Sequence, residues 1–104
     1  MIKVTVLYPN APEARFDMKY YVTSHMPMVR ERCGPACRSI AAEGGVAGGA
    51  PGSSAPYIAI GHLTFDSVEV FQKSFGPHAS EIMADVKNYT NTQPIIQISE
   101  ISLS

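Results

Sequence analysis

The sequence predicts an α+β sandwich of order βαββαβ, the ferredoxin-like arrangement, in which one antiparallel sheet carries two helices on one face. Three observations lead there. Four stretches read as strands: IKVTVLY (2–8), ACRSIAAE (36–43), YIAIGHLTF (57–65) and TQPIIQISEISL (92–103). Helical stretches separate the first from the second and the third from the fourth, while only a loop joins the middle two. The chain has 104 residues, room for one core, so a single domain over 1–104 is expected.

The first strand alternates, with Ile2, Val4, Val6 and Tyr8 on one face and Lys3, Thr5 and Leu7 on the other. PNAP then turns the chain. Asp17 is a good N-cap for the helix that follows, and Phe16 with Tyr21 has the spacing of a hydrophobic staple. Gly34 and Pro35 end this helix. The segment GGVAGGAPGSSAP (44–56) contains only small residues, glycine and proline, and is expected to be a mobile surface loop. It does not fit a phosphate-binding loop, because a strand follows it instead of a helix. It could still cover a nearby pocket. In the third strand Tyr57, Leu63 and Phe65 share one face and Ile58, Ile60 and His62 the other, and either face suits the helices. Asp66 followed by Glu69 reads as a capping box for DSVEVFQKSF. Gly76 and Pro77 stop that helix, and Pro77 opens a short one in PHASEIMADV.

Composition narrows the partners. Net charge is −1 and no basic block exists, so nucleic acid and anionic membranes fit poorly. No apolar run approaches the ~18 residues that a membrane-spanning helix needs. The start lacks a charged segment followed by an apolar one, which leads to an expected cytoplasmic location. Cys33 and Cys37 then read as reduced thiols at a helix end and a strand start. Their spacing is C-x3-C, and the histidines supply no further ligands, so neither metal nor cofactor is expected.

The first helix holds the best candidate. On a helical wheel Met18, Tyr21, Val22, His25, Met26, Met28, Val29 and Cys33 fall in an arc about 160° wide, with Arg32 as the one charged intruder. His25 lies near its middle, so the ring should point between helix and sheet. Pro27, on the opposite face, has no N–H for the carbonyl of Thr23 and should bend the helix there. Bend and ring together suggest a polar group facing a partly solvated cleft. The same position suits a core histidine bonded to a carbonyl or to Tyr21, one turn earlier. An imidazole titrating near neutrality suits a general acid or base. Tyr8, at the sheet edge, could donate to a substrate oxygen or be a core tyrosine. His62 suits a pocket or a subunit interface equally, and His78 reads as a surface histidine. The methionines suit packing or an adaptable apolar pocket. No nucleophile elbow, zinc motif or paired-carboxylate signature occurs.

The open face of the sheet is semi-apolar, which a second subunit packed sheet to sheet would resolve, so a homodimer is expected. YYVTSHMP, with VLYPN upstream and GGAPGSSAPYIAIGHLTFDSVEVF and FGPHASEIMADVKNYTNTQP downstream, resembles the EthD family, named for ethyl tert-butyl ether degradation. The resemblance covers almost the whole chain. It implies a dimeric α/β barrel and makes His25 the best catalytic candidate; Tyr8, Tyr21, Tyr57 and His62, read from their own positions, are the substrate-binding candidates. Related barrels include isomerases, decarboxylases, cyclases and cofactor-free oxygenases acting on lactones, aromatic compounds and polyketides. The expected function is therefore a small cofactor-independent enzyme of lyase or isomerase type, acting by proton transfer on an apolar carbonyl, lactone or aromatic compound in a catabolic or polyketide-like pathway. The alternative is a non-catalytic ligand-binding or accessory protein of a degradation pathway.

Overall fold

The computed structural model describes all 104 residues. Strands β1 (Ile2–Pro9), β2 (Ser39–Gly44), β3 (Tyr57–Phe65) and β4 (Ile95–Glu100) form one antiparallel sheet in the order β2-β3-β1-β4. The helical segments between β1 and β2 and between β3 and β4 cover one face, which is the ferredoxin-like α+β arrangement. The two central strands are paired over their whole length, from Ile2 opposite Phe65 to Tyr8 opposite Ala59. β2 begins at Ser39 and β4 spans only Ile95–Glu100, both shorter than their apolar patterns suggest. Gly34–Ala36 forms a 3₁₀ turn before β2, and Pro94, with no N–H to give a ladder, lies just outside β4.

Burial settles which face of β3 meets the helices. Ala59, Leu63 and Phe65 are 0–4 % exposed, and Ile2, Val4 and Tyr8 of β1 join them. Two-residue alternation therefore sends Ile58, Ile60, His62 and Thr64 to the open face. There they lie beside Lys3, Thr5 and Leu7 of β1 and Ile95, Gln97 and Ser99 of β4. The helices do not cover β4 fully: Ile96 and Ile98 belong to the covered side yet are 46 % and 40 % exposed.

The first helix is not a uniform α-helix. It starts as Met18–Tyr20, widens into a π-helical turn at Tyr21–His25 and resumes as α-helix over Met26–Cys33. Asp17 caps it, its carboxylate accepting from the Tyr20 amide at 3.0 Å. The Met26 amide reaches back five residues to the Tyr21 carbonyl. This is the reply to Pro27. Instead of breaking an α-helix from within, the proline falls in the first turn of the resumed segment, where a missing N–H costs least. Its ring faces solvent as the wheel requires. Val22 departs from the wheel, being 46 % exposed, because the π turn shifts the phase of this segment.

The second helix (Val68–Phe75) is capped by Ser67, not Asp66. Ser67 is extended (φ −158°, ψ 168°), and its Oγ accepts from the Val70 amide. Asp66 is drawn instead to Arg38, just before β2, in a two-pronged pair of 3.1 and 2.9 Å. The α-helix stops at Phe75, just before Gly76 and Pro77; Gly76 keeps helical dihedrals, and a 3₁₀ turn (Gly76–His78) leads directly into the third helix (Ala79–Ala84). The small-residue segment extends the β2–β3 hairpin, held by Gly45 N–H to the Ile58 carbonyl and Gly48 N–H to the Ser53 carbonyl. Cys33 and Cys37 are buried and free, and burial pushes the Cys33 thiol up to about 11.

One close approach fixes how the first helix sits. The Tyr21 hydroxyl rests on Gly61 of β3, where a methyl group would overlap it. Gly61→Ala is expected to lower stability by about 1–3 kcal/mol, as overpacking does. Tyr21→Phe in the same chain should recover part of that loss, and denaturant unfolding of the single and double variants measures it.

Candidate functional site

Five aromatic side chains meet His25 or one another beneath the π turn. Tyr21 stacks on the His25 ring at 5.5 Å with 13° between planes, so the two residues four apart face the same way. Phe16 packs edge-on against Tyr21 at 4.9 Å, as a hydrophobic staple would place it. Tyr8 comes up from the end of β1, and Tyr89 comes down from the segment after the third helix, 4.6 Å from the imidazole centre. His25 itself is 4 % exposed, so the partly solvated ring expected from the sequence is in fact enclosed. The cause is the aromatic wall supplied by Tyr89 and Tyr21, which the wheel does not reveal.

A chain of polar contacts runs through this wall. Asp85, the residue after the third helix, places Oδ2 2.9 Å from His25 Nδ1. Tyr20 donates its hydroxyl to Asp85 Oδ1 at 2.7 Å, and Asn88 Nδ2 donates to the same oxygen at 2.9 Å. On the other side His25 Nε2 lies 3.4 Å from the Tyr89 hydroxyl, which is 2.6 Å from the Tyr8 hydroxyl. Asp85, His25, Tyr89 and Tyr8 thus form one line from the half-buried third-helix end to the sheet.

The charges along this line follow from its surroundings. Burial lowers the His25 pKa from its ordinary 6.5, and the hydrogen bond and charge of Asp85 only partly offset this. Burial opposes ionisation of Asp85, but hydrogen bonds from Asn88, His25 and Tyr20 outweigh it and hold the carboxyl below its ordinary range. The resting pair is therefore a carboxylate and a neutral imidazole. The carboxylate can only accept, so the imidazole proton sits on Nδ1 and Nε2 presents its lone pair to Tyr89. Burial raises Tyr8, Tyr21 and Tyr89, keeping all three as neutral phenols. The hydroxyl protons then run one way: Tyr8 donates to Tyr89, and Tyr89 donates to Nε2.

The line ends on a small apolar void of about 30 Å³, enough for one or two waters. Tyr8, Tyr21, His25 and Tyr89 border it from within, and Met83, Val86, Pro94 and Ile96 border it toward the surface. Met83 and Ile96 are 41 % and 46 % exposed, which makes their side of the void its mouth. Beside the same chain, a wider and more polar groove lies between Arg15–Asp17 and Lys87–Asn91.

Of the candidates read from the sequence, the structure brings together His25, Tyr8 and Tyr21. His62 lies on the opposite face of the sheet, where its Nε2 is 2.7 Å from a Glu43 oxygen and its Nδ1 is buried without a partner. Tyr57 sits half-buried at the start of β3, across from Pro9, and does not border the void. Sequence reasoning missed Asp85, Tyr89, Tyr20 and Asn88. Asp85 and Tyr89 are 60 and 64 residues from His25 and flank the short 3₁₀ turn Val86–Asn88, where periodicity says nothing about direction.

The resting charges predict a pH dependence. The unfolded chain takes up a proton at His25 near pH 6.5, while the folded chain resists it, so stability should begin to fall as the pH drops below about 6.5. Asp85, depressed in the fold, adds stability that is present above its ordinary 3.8 and lost as the pH falls through its folded value. Thermal melts over this range should show the first decline in the native protein and a flatter curve in His25→Gln. Asp85→Asn should flatten the more acidic part.

Comparison with known proteins agrees with this architecture. The EthD domain matches residues 11–93. The structure superposes on an EthD-like protein from Ralstonia eutropha JMP134 with a TM-score of 0.94 and 43 % identity, covering 99 % of this chain and 93 % of that one. An ethyl tert-butyl ether degradation (EthD) family protein from Bacillus halodurans C-125 shares the fold, with a TM-score of 0.66 and 18 % identity over 97 % of this chain and 98 % of that one. No curated protein matches the chain. With a domain match over most of its length and a solved relative of this identity, the chain belongs to the EthD family.

Proposed function

We propose that this EthD protein is a small cofactor-independent enzyme of isomerase or lyase type, which moves a proton on an apolar carbonyl, lactone or aromatic compound. One observation carries the reading: a neutral imidazole, oriented by a half-buried carboxylate at 2.9 Å, turns its lone pair toward hydroxyl groups that border an apolar void. In such a site His25 Nε2 receives the proton from a carbon next to a carbonyl. Asp85 keeps the ring oriented and stabilises the imidazolium that results. Neutral phenols hold the carbonyl oxygen as charge develops on it: Tyr8 gains a proton to offer once the imidazolium donates to Tyr89 and the hydroxyl protons reverse, and Tyr21 borders the same void. Return of the proton to a different atom completes an isomerisation. A catabolic or polyketide-like pathway would supply such substrates.

The closed mouth also suits a second reading, a ligand-binding accessory protein with no turnover. Exchange of α-hydrogens for deuterium separates the two. In deuterium oxide, a panel of apolar cyclic ketones and lactones is expected to include compounds whose α-protons the native protein exchanges. His25→Gln should slow that exchange by about 10²–10⁴-fold, the usual contribution of a general base. Binding without exchange across the panel would favour the accessory role.

The working unit in this reading is a homodimer whose two open sheet faces enclose a barrel. Leu7, Ile60 and Ile95 lie side by side on that face, with Ile95 52 % exposed, and the unpartnered His62 Nδ1 lies on it too. Light scattering should return twice the chain mass at micromolar concentration. Ile60→Glu should shift the protein to monomer, because a charge there would be buried without a partner. A native monomer would sink the dimer.

A further inference from the structure

We infer that the Asp85–His25–Tyr89–Tyr8 line is a one-proton relay that holds an acidic hydroxyl compound, a phenol or an enol, as its oxyanion with Tyr8 as the donor to that oxygen. The inference deepens the reading above, since an enol is the species that proton transfer next to a carbonyl creates, and it rests on that reading for the choice of void.

The geometry supports it as follows. At rest each hydroxyl proton points toward His25, so Tyr8 donates to Tyr89 and has no proton to offer, while its oxygen, which borders the void and already accepts from Tyr21, keeps one lone pair for a ligand. A ligand hydroxyl entering the void donates to the Tyr8 oxygen. Three protons can then shift in step: from ligand oxygen to Tyr8, from Tyr8 to Tyr89, and from Tyr89 to His25 Nε2. Three O–H bonds break, while two O–H bonds and one N–H bond form. Every phenol keeps one proton, the ligand becomes an oxyanion, and the imidazole becomes an imidazolium beside the Asp85 carboxylate. The hydroxyl protons now point the other way, and Tyr8 donates to the ligand oxyanion. The 2.6 Å contact between Tyr8 and Tyr89 is short enough for such a shift, and the 3.4 Å contact to Nε2 has room to tighten.

The groups facing His25 permit this charge change. Asp85 comes from the end of the third helix, Tyr89 from the segment after it, Tyr21 from the same helix and Tyr8 from β1. Asp85 is the one charged group in contact with the ring, and its second oxygen is already saturated by Tyr20 and Asn88. Glu43, on the far side of the sheet, acts on Tyr21 only through its charge. Apolar residues make up most of the remaining wall, so the ligand body should be apolar or aromatic with a single acidic oxygen. Room for it comes from Met83, whose flexible and partly exposed side chain stands at the mouth.

The probe is 4-nitrophenol, whose phenolate absorbs at a longer wavelength than the neutral form. It is added one pH unit below its own pKa, where the free probe is mostly neutral. With native protein the phenolate band should appear in proportion to bound probe. Calorimetry in buffers of differing ionisation enthalpy should show about one proton retained by the complex. Tyr8→Phe should weaken binding by roughly tenfold and remove the band, and Asp85→Asn should remove the band with a smaller loss of affinity. Met83→Ala should bind the probe at least as well as the native protein. Binding without the phenolate band, or an equally strong band in Tyr8→Phe, overturns the relay. So does failure of the native protein and Met83→Ala to bind at all. A phenolate band together with no α-hydrogen exchange in any ketone or lactone would instead leave the relay standing and remove the proposed enzyme activity.

Discussion

The hydrogen bond between Asp85 and His25 organises the covered side of the molecule. It joins the π turn of the first helix to the end of the third across 60 residues of chain. It also fixes which imidazole nitrogen carries the proton, and hence the direction of every hydroxyl from Tyr89 to Tyr8. A carboxylate this close to an apolar void would ordinarily be costly, and burial alone would protonate it. Donors from three residues keep it ionised: Asn88 and Tyr20 at one oxygen, His25 at the other. The local structure follows from that requirement. The 3₁₀ turn at Val86–Asn88 places Asn88 back over Asp85, and the early part of the first helix presents Tyr20 to it.

Much of the fold was legible in the sequence because its signals are local. Strand alternation, the Asp17 cap and the Phe16–Tyr21 staple each depend on residues within a turn or two of one another. The cap of the second helix was misread for a related reason. Asp66 and Ser67 are both good caps, and the choice between them was made by Arg38, a residue 28 positions away. The inward direction of His25 was legible from a wheel because Tyr21 and His25, four residues apart, still face the same way across the π turn. Its enclosure was not, since enclosure depends on Tyr89.

The site divides along the same line. Its helix-borne half, Tyr21 and His25, follows from periodicity, whereas its partners Asp85 and Tyr89 lie where the chain has none. A signal for them did exist, because both fall inside the FGPHASEIMADVKNYTNTQP segment that carries the family resemblance. A resemblance says that a segment matters without saying which atoms meet. Asp85 and Asn88, three apart in a tight turn, and Tyr89 beside them, acquire their meaning only when the third helix is laid against the first.

The π turn has a consequence for the length of the chain. A π turn is in effect an α-helix that has accepted one extra residue, and one residue corresponds to about 100° of rotation. The wide turn absorbs that rotation, so Tyr21, which rests on Gly61, stays in phase with Val29 and Cys33, which pack in the core. Removing a single residue from Val22–Ser24, all of them exposed, would touch no buried side chain. It would let the segment relax into regular α-helix with Tyr21 still in phase with Val29 and Cys33, but it would break the four-residue spacing across the wide turn on which the Tyr21–His25 stack depends. In this stretch the spacing is held more tightly than the identities, so related chains should vary here by substitution and not by insertion or deletion.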